Sequence, residues 1–249
     1  MRKISRFFIF IPVLFVFLNV SGCGKDIKPE TSYDPEKYLA KSDELVNAKE
    51  YKEARKVLLE VKNRDTQKKY GALAHLKIAD SYVREGEPDL AITEYRKFVE
   101  LYPDNQYAPY AQYQIGMVYF GQIESAERGT GAARTALEEF NRLKKLYPRN
   151  PYRDIVELRI EKCRNILAEG DYLIAEFYFD KEAYKAAVER LESLIARYPD
   201  YKREEAVLLL LGKALRELKD KNKAKEVFDR LIKKYPSSKA AKEAKKLLS

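Results

Sequence analysis

The sequence predicts an all-α fold: an α-solenoid of about five helix pairs, with a capping helix at the carboxy terminus. Three observations carry that reading. The first is a recurring frame in which an alanine is followed by large apolar residues four and seven positions on, and then by Tyr-Pro. The frame reads Ala91, Tyr95, Phe98, Tyr102-Pro103, then Ala136, Phe140, Leu143, Tyr147-Pro148. It returns as Ala187, Leu191, Leu194, Tyr198-Pro199 and as Ala224, Phe228, Leu231, Tyr235-Pro236. Such offsets share one face of a helix, and the proline ends that helix. A fainter copy, Ala54, Leu58 and Val61, lacks the closing Tyr-Pro. The second observation is a small residue with a large one three later, upstream of the alanine: Ala79 and Tyr82, Ala175 and Tyr178, Gly212 and Leu215. Gly116 and Tyr119 are the match in the third unit, eight residues further upstream than the others. The third is the interval between Tyr-Pro pairs, 45, 51 and 37 residues, which is a helix-pair period with insertions in the middle units.

Each element follows from that frame. The first unit begins at Asp34-Pro35, with Asp34 as N-cap and Pro35 at the first helical position, and Tyr51 opens its second helix. The second spans about Lys69 to Tyr102 and turns at Gly86-Glu87-Pro88. The third holds its insertion in Gln122 to Gly131, read as an inter-helix loop because it lacks the lysine and preceding strand of a phosphate cradle. The fourth opens with a long helical tract, Tyr152 to about Phe179, broken at most at Gly170; it is expected to be a spine joining the first three units to the last two. The fifth covers Glu204 to Tyr235. Ser237 or Ser238 then caps a last helix whose Ala241, Ala244, Leu247 and Leu248 cover the open end of the array.

The amino terminus is of another kind. Arg2, Lys3 and Arg6 precede an apolar run from Phe7 to Leu18, which ends in Val20-Ser21-Gly22-Cys23. A charged start, a short apolar core and small residues at the cut site describe an export signal over residues 1–22. Val-Ser-Gly-Cys is similar to a bacterial lipobox, which implies a diacylglyceryl group on Cys23 and a lipidated tether over residues 23–32. Gly24 follows the cysteine where an aspartate would favour the inner membrane, so the outer membrane is expected. An ordinary secretory signal with an incidental cysteine is the alternative. With Cys23 lipidated, Cys163 is the one thiol left, and its apolar neighbours make it a small buried hydrophobe.

Removing residues 1–22 lowers the formal net charge from +9 to +6. Residues 202–249 hold fifteen Lys/Arg against seven Asp/Glu, so the carboxy-terminal unit is the basic end. An exported chain has little use for nucleic acid, which leaves acidic proteins, lipid headgroups or lipopolysaccharide as anions, or else a plain solvated lysine face. Catalysis finds few materials. His75 is the sole histidine and reads as structural; no metal-ligand spacing, serine elbow or phosphate loop is present in the sequence. No cofactor and no enzymatic activity are expected.

A solenoid offers a concave surface instead. Threading the first three units onto the frame turns Leu39, Asp43, Val46, Leu76, Asp80, Val83, Tyr110, Tyr113, Met117 and Phe120 towards it. An apolar, aromatic groove with a few carboxylates suits an extended or amphipathic peptide.

The frame resembles the tetratricopeptide repeat. In the fourth unit, Asp171-Tyr172-Leu173-Ile174-Ala175-Glu176-Phe177-Tyr178, then Ala183-Tyr184-Lys185-Ala186-Ala187 and Arg190-Leu191-Glu192 up to Tyr198-Pro199-Asp200, resembles the BamD family of outer-membrane lipoproteins. The resemblance covers nearly the whole mature chain, and the repeat domain would be residues 33–249. It implies a scaffold of the β-barrel assembly machine. Repeats of about 33–148 would receive unfolded outer-membrane β-barrel proteins. Repeats of about 149–249 would bind the periplasmic domain of the BamA subunit, with Arg190 as the candidate salt-bridge residue and other lipoproteins of the machine as further partners. Two departures stand out: the first repeat lacks Tyr-Pro and the carboxy terminus is lysine-rich. Rival readings are another envelope tetratricopeptide lipoprotein, either a secretin pilotin or a coordinator of peptidoglycan synthesis with constriction, and a peptidoglycan-active enzyme.

Overall fold

The structure is a computed structural model that describes residues 33–66 and 69–248. The export signal, Cys23 and the tether lie outside the described residues. The eleven helices found there are α1 (Pro35–Asn47), α2 (Tyr51–Arg64), α3 (Gly71–Glu85), α4 (Pro88–Leu101), α5 (Ala108–Gly121), α6 (Thr130–Leu146), α7 (Arg153–Asp180), α8 (Tyr184–Arg197), α9 (Glu204–Glu217), α10 (Lys221–Lys234) and α11 (Lys239–Leu248). No strand is present among the described residues. Within Pro35–Ser249 every helix packs on the next in sequence, and the first helices of successive units also touch, α1 on α3, α5 on α7 and α7 on α9. That is the five-pair solenoid with α11 closing its end. Among the described residues no helix is long and apolar enough to cross a membrane.

The Tyr-Pro frame marks the helix ends as expected. Helices α4, α6, α8 and α10 each stop one residue before the tyrosine, whose φ is close to −130° because the following proline disfavours helical backbone. Each of these tyrosines still donates its N–H to the carbonyl four residues back, which closes the last turn. The turns inside units are tight. Lys49, Gly86, Glu182 and Lys219 sit there with φ between 58° and 85°, so three of the four left-handed positions carry a side chain. At the last helix Ser238 accepts the N–H of Ala241 at 3.0 Å, which makes it the cap.

The alanine of the frame is the point of closest packing. Ala54, Ala91, Ala136 and Ala187 are wholly buried and Ala224 is 2% exposed. The large residue four positions on meets the small residue of the unit's first helix. Gly116 faces Phe140, and a Cβ built on Gly116 would lie 2.5 Å from the phenylalanine ring. Gly212 faces Phe228 in the same way. In the first unit Ser42 takes the slot opposite Leu58, and its hydroxyl, 1% exposed, is satisfied by the Leu39 carbonyl at 2.6 Å.

Helix α7 is unbroken over 28 residues, about 42 Å at 1.5 Å per residue. Val156, Ile160 and Cys163 of its first half pack with Ala136, Phe140 and Leu143 of the third unit. Ala168, Tyr172 and Ala175 of its second half join the core of the last two units. Gly170 does not interrupt the helix; it admits Thr130, whose Cγ2 would lie 2.5 Å from a Cβ there. The expected spine is therefore one rigid helix shared by two cores.

The Phe140 contact generates a paired prediction. Gly116→Ala should lower stability by about 1–3 kcal/mol, since overpacking must move a buried ring. Gly131→Ala, on α6 with nothing within 4 Å of the new methyl, should raise it by roughly 0.5 kcal/mol. Thermal melts of the two variants beside the parent check both signs.

Candidate binding surfaces

The first three units bring part of the expected groove together. Asp43, Val46 and Asp80 line one recess of about 220 Å³ between α1 and α3, with Lys77 and Arg84 beside them. Lys77 donates to Asp43 at 2.6 Å, and Val83 is 42% exposed at the end of α3. Two of the threaded residues are not presented to a groove. Leu39 packs with Leu58, Val61, Ala74 and Ile78 in the core between α2 and α3, and Leu76 belongs to the next core along. A first helix of a pair buries one stripe on its partner and a second on the neighbouring unit, so a single-face threading assigns those leucines to the wrong stripe.

Asp80 is an internal acceptor as well as a lining residue. It takes the hydroxyl protons of Tyr95 and Tyr110, the latter at 3.1 Å. Burial pushes the carboxyl above its ordinary value, against the pull of those two hydroxyls. Burial, with Asp80 next in effect, pushes the Tyr110 hydroxyl up to about 12.

Tyr110, Tyr113, Met117 and Phe120 form one half-buried strip along α5. Tyr113 stacks on Tyr152 with ring centroids 4.7 Å apart and planes 8° from parallel, and Tyr110 tilts against the same ring. Phe120 leans on Phe140, and the guanidinium of Arg159 sits 4.8 Å from its centroid. The contribution of Tyr152 and Arg159 is not readable from the frame, because Tyr152 caps the start of α7 and Arg159 lies in its extra turns, neither of which the frame covers.

The fourth unit carries a second surface. Arg190 is partly exposed and donates to Asp171 at 3.1 Å, while Arg197 holds the other oxygen of that carboxylate at 2.7 Å. Arg190 rims a recess with Tyr178, Ala186, Glu189 and Ser193. Tyr178 also borders an apolar hollow of about 430 Å³ lined by Thr130, Gly170, Leu173, Ile174 and Phe177. Phe177 is 57% exposed and Ile174 is 41% exposed, so this is a sizeable apolar patch with an arginine at its margin. Phe177 and Ile174 stood in the sequence only as letters of a family segment; their neighbours at i−3 and i+1 gave no sign that they face outwards.

The remaining chemistry-bearing groups are packed away. Cys163 is fully buried, and that burial pushes its thiol up to about 11. His75 is fully buried, with Nε2 3.0 Å from Glu94 and its ring edge-on to Phe98 and Tyr102. Its Nδ1 has no partner, which suits a neutral ring whose one proton sits on Nε2. Among the described residues no group of His, Cys, Asp and Glu is arranged to hold a metal ion.

Residues 32–227 match the YfiO family, described as outer membrane lipoproteins. A relative from Neisseria gonorrhoeae, outer membrane protein assembly factor BamD, is 25% identical over 237 residues, which is 89% of each chain. The BamD of Caulobacter vibrioides is 26% identical over 193 residues, covering 76% of this chain and 63% of its own. Among solved structures, the TPR2AB-domain:pHSP90-complex of yeast Sti1 aligns with a TM-score of 0.49 at 17% identity, over 86% of this chain and 82% of that one.

A pH prediction comes from His75. Burial first, and Lys62 second, hold its imidazole below the ordinary 6.5, in spite of the Glu94 hydrogen bond. The unfolded chain therefore binds a proton that the folded chain refuses, so this group's contribution to stability is full above pH 6.5 and is lost as pH falls. Urea midpoints of the parent and of His75→Gln from about pH 7 to pH 5 should converge as the pH drops, by at most about 1.4 kcal/mol per pH unit. A constant difference would show that His75 does not titrate differently on unfolding.

Proposed function

The chain belongs to the YfiO family of outer membrane lipoproteins, and we propose that it is a lipid-anchored scaffold subunit of the machine that assembles β-barrel proteins. The coarse role, a factor in outer membrane protein assembly, is that of the relatives matched across most of their length. The finer reading is that the amino-terminal units receive unfolded barrel substrates and the carboxy-terminal units bind the periplasmic domain of BamA. Anchoring is by acyl chains on Cys23, at the periplasmic face of the outer membrane.

The observation that carries this reading is the separation of two unlike surfaces by one stiff element. The strip of Tyr110, Tyr113 and Phe120 leads into the recess of Val46 and Asp80, and it is joined to the first half of α7. The patch of Ile174 and Phe177, with Arg190 at its rim, lies on the second half of α7 and on α8. Flat aromatic rings with a nearby carboxylate suit the alternating aromatics of an extended barrel strand, which supplies apolar side chains on one face and free backbone groups on its edge. An exposed phenylalanine beside an arginine has the composition of a protein–protein hot spot. A scaffold needs both at a fixed distance, and a continuous helix provides it.

Arg190 is held by Asp171 inside the chain, so a partner carboxylate has to compete with an internal one. Asp171 keeps Arg197 when that happens, which makes the exchange inexpensive. Arg190→Glu and Phe177→Ser should each abolish recovery of BamA when the tagged, full-length lipoprotein is pulled from detergent-solubilised membranes. Their melting points should stay within a few degrees of the parent, since Phe177 is exposed and Arg190 is partly exposed with Asp171 still held by Arg197. Recovery of a secretin or a peptidoglycan synthase in place of BamA would overturn the reading. In the same cells Cys23→Ala should move the chain from the membrane to the soluble fraction.

A further inference from the structure

We infer that the outer face of α11 is a docking surface for anionic phospholipid headgroups, so that the carboxy-terminal end of the solenoid lies against a membrane. The inference rests on the lipid-anchored reading above, which supplies the membrane, and goes beyond it by naming a second point of attachment.

The basic balance of residues 202–249 becomes informative once its carboxylates are located. Glu204 is 6% exposed and is consumed by Arg230, Lys234 and the Tyr235 hydroxyl. Asp220 caps α10 through the N–H of Lys223 and faces the Lys223 ammonium at 3.8 Å. Glu243, the single carboxylate of α11, is taken by Lys213 of α9. Three of the seven carboxylates of this segment are thus paired, and two of them, Glu204 and Glu243, tie α9 to α10 and to α11.

Helix α11 sorts its side chains cleanly. Ala241 and Ala244 are fully buried and Leu247 packs on the core of the last two units. Lys239, Lys242, Lys245 and Lys246 are all exposed. Lys239, Lys242 and Lys245 follow one another at intervals of three, so they are close neighbours on the helix surface and repel. A capping helix needs only a polar outer face, and alternating signs would meet that need without repulsion. The helix dipole rewards cations in the last turn alone, and so does not account for Lys239 in the first turn or Lys242 in the second.

The chemistry of the face selects the partner. It offers ammonium groups without arginine or aromatic residues, and lysine is depleted in the centres of protein interfaces where arginine and aromatics are enriched. Mobile point charges on a helix in one plane are instead what a bilayer of phosphate headgroups attracts, without directional pairing. An acidic protein face is the other anion available, and the experiment separates the two.

The full-length lipidated chain is mixed with vesicles of phosphatidylethanolamine, or of phosphatidylethanolamine containing phosphatidylglycerol, and floated. An amine-acylating reagent then reads each lysine by mass spectrometry, with Lys56, 71% exposed on α2, as internal reference. Lys239, Lys242 and Lys245 should be protected several-fold on the vesicles with phosphatidylglycerol and not on the others, and high salt should remove the protection. In the Lys242→Glu/Lys245→Glu variant, Lys239 should be labelled equally on both. Equal labelling of the parent on both vesicles, with the chain floating on both, overturns the docking surface and leaves the anchor standing. Protection on both compositions overturns it too, as does protection that needs added membrane protein. Flotation and protection on the anionic vesicles alone would retain the surface and count against the anchor.

Discussion

The rest of the solenoid depends on one contact, that between the small residue of each first helix and the large residue four positions after the frame alanine. At that point two helices approach closely, and side-chain volume must be divided between them. Where the second helix brings phenylalanine, as at Phe140 and Phe228, the first helix gives up its side chain altogether at Gly116 and Gly212. Where it brings Tyr95 or Leu191, the residue in that slot is Ala79 or Ala175, and both partners are almost wholly buried. Opposite Leu58 stands Ser42, whose hydroxyl is returned to its own backbone. The summed volume is held while the individual residues change, as close packing requires. Because each pair is fixed internally in this way, the outer faces of the first helices are free to differ between units without moving the helices.

Helix α7 is where that freedom is used. An ordinary first helix of this array has 13 to 15 residues, whereas α7 has 28 and contributes to two cores. The extra turns have two consequences for binding surfaces. With the N-cap residue before them, they add Tyr152 and Arg159 to the aromatic strip of the third unit, so that strip is stacked on its outer side and not left as loose rings. They also carry the second half of the helix beyond α5 and the body of α6, where the covering is reduced to Ala126 and Thr130 over Gly170. Ile174 and Phe177 are exposed there because no helix is left to cover them, and Gly170 permits the close crossing that ends the cover just before them.

Much of the fold was legible in the sequence for a physical reason: the frame residues are those with no alternative. The Tyr-Pro pairs located four helix ends because proline cannot continue a helix, and the long tract in the fourth unit was readable because nothing in it breaks one. The turns were less legible. Gly86 announced itself, but Lys49, Glu182 and Lys219 adopt the same left-handed backbone under the constraint of the helices on either side, and lysine or glutamate carries no such signal. The binding surfaces were legible only as a set. Asp43, Val46 and Asp80 do meet, and Tyr110, Tyr113, Met117 and Phe120 do share a strip, whereas Leu39 and Leu76 fall on the stripe that packs between units. Periodicity gives the angle of a residue around its helix; which neighbour lies at that angle is decided by the pitch of the array.

Charge is distributed by the same logic. Inside the solenoid carboxylates serve as joints: Glu139 accepts from Gln112 at 2.9 Å and from Arg96 at 2.6 Å, tying α4, α5 and α6, and Asp171 collects Arg190 and Arg197 of α8. Glu204 does so for the last unit with three donors. Each joint is a partly buried anion that must be paired to be tolerated, and each removes a cation from the outer surface of its unit. At the carboxy-terminal end, α11 carries one carboxylate, Glu243, and it is spent on Lys213. Lys239, Lys242 and Lys245 are exposed and adjacent on one side of α11, and a chain under no demand for an anionic partner could have relieved their repulsion by a single exchange of lysine for glutamate.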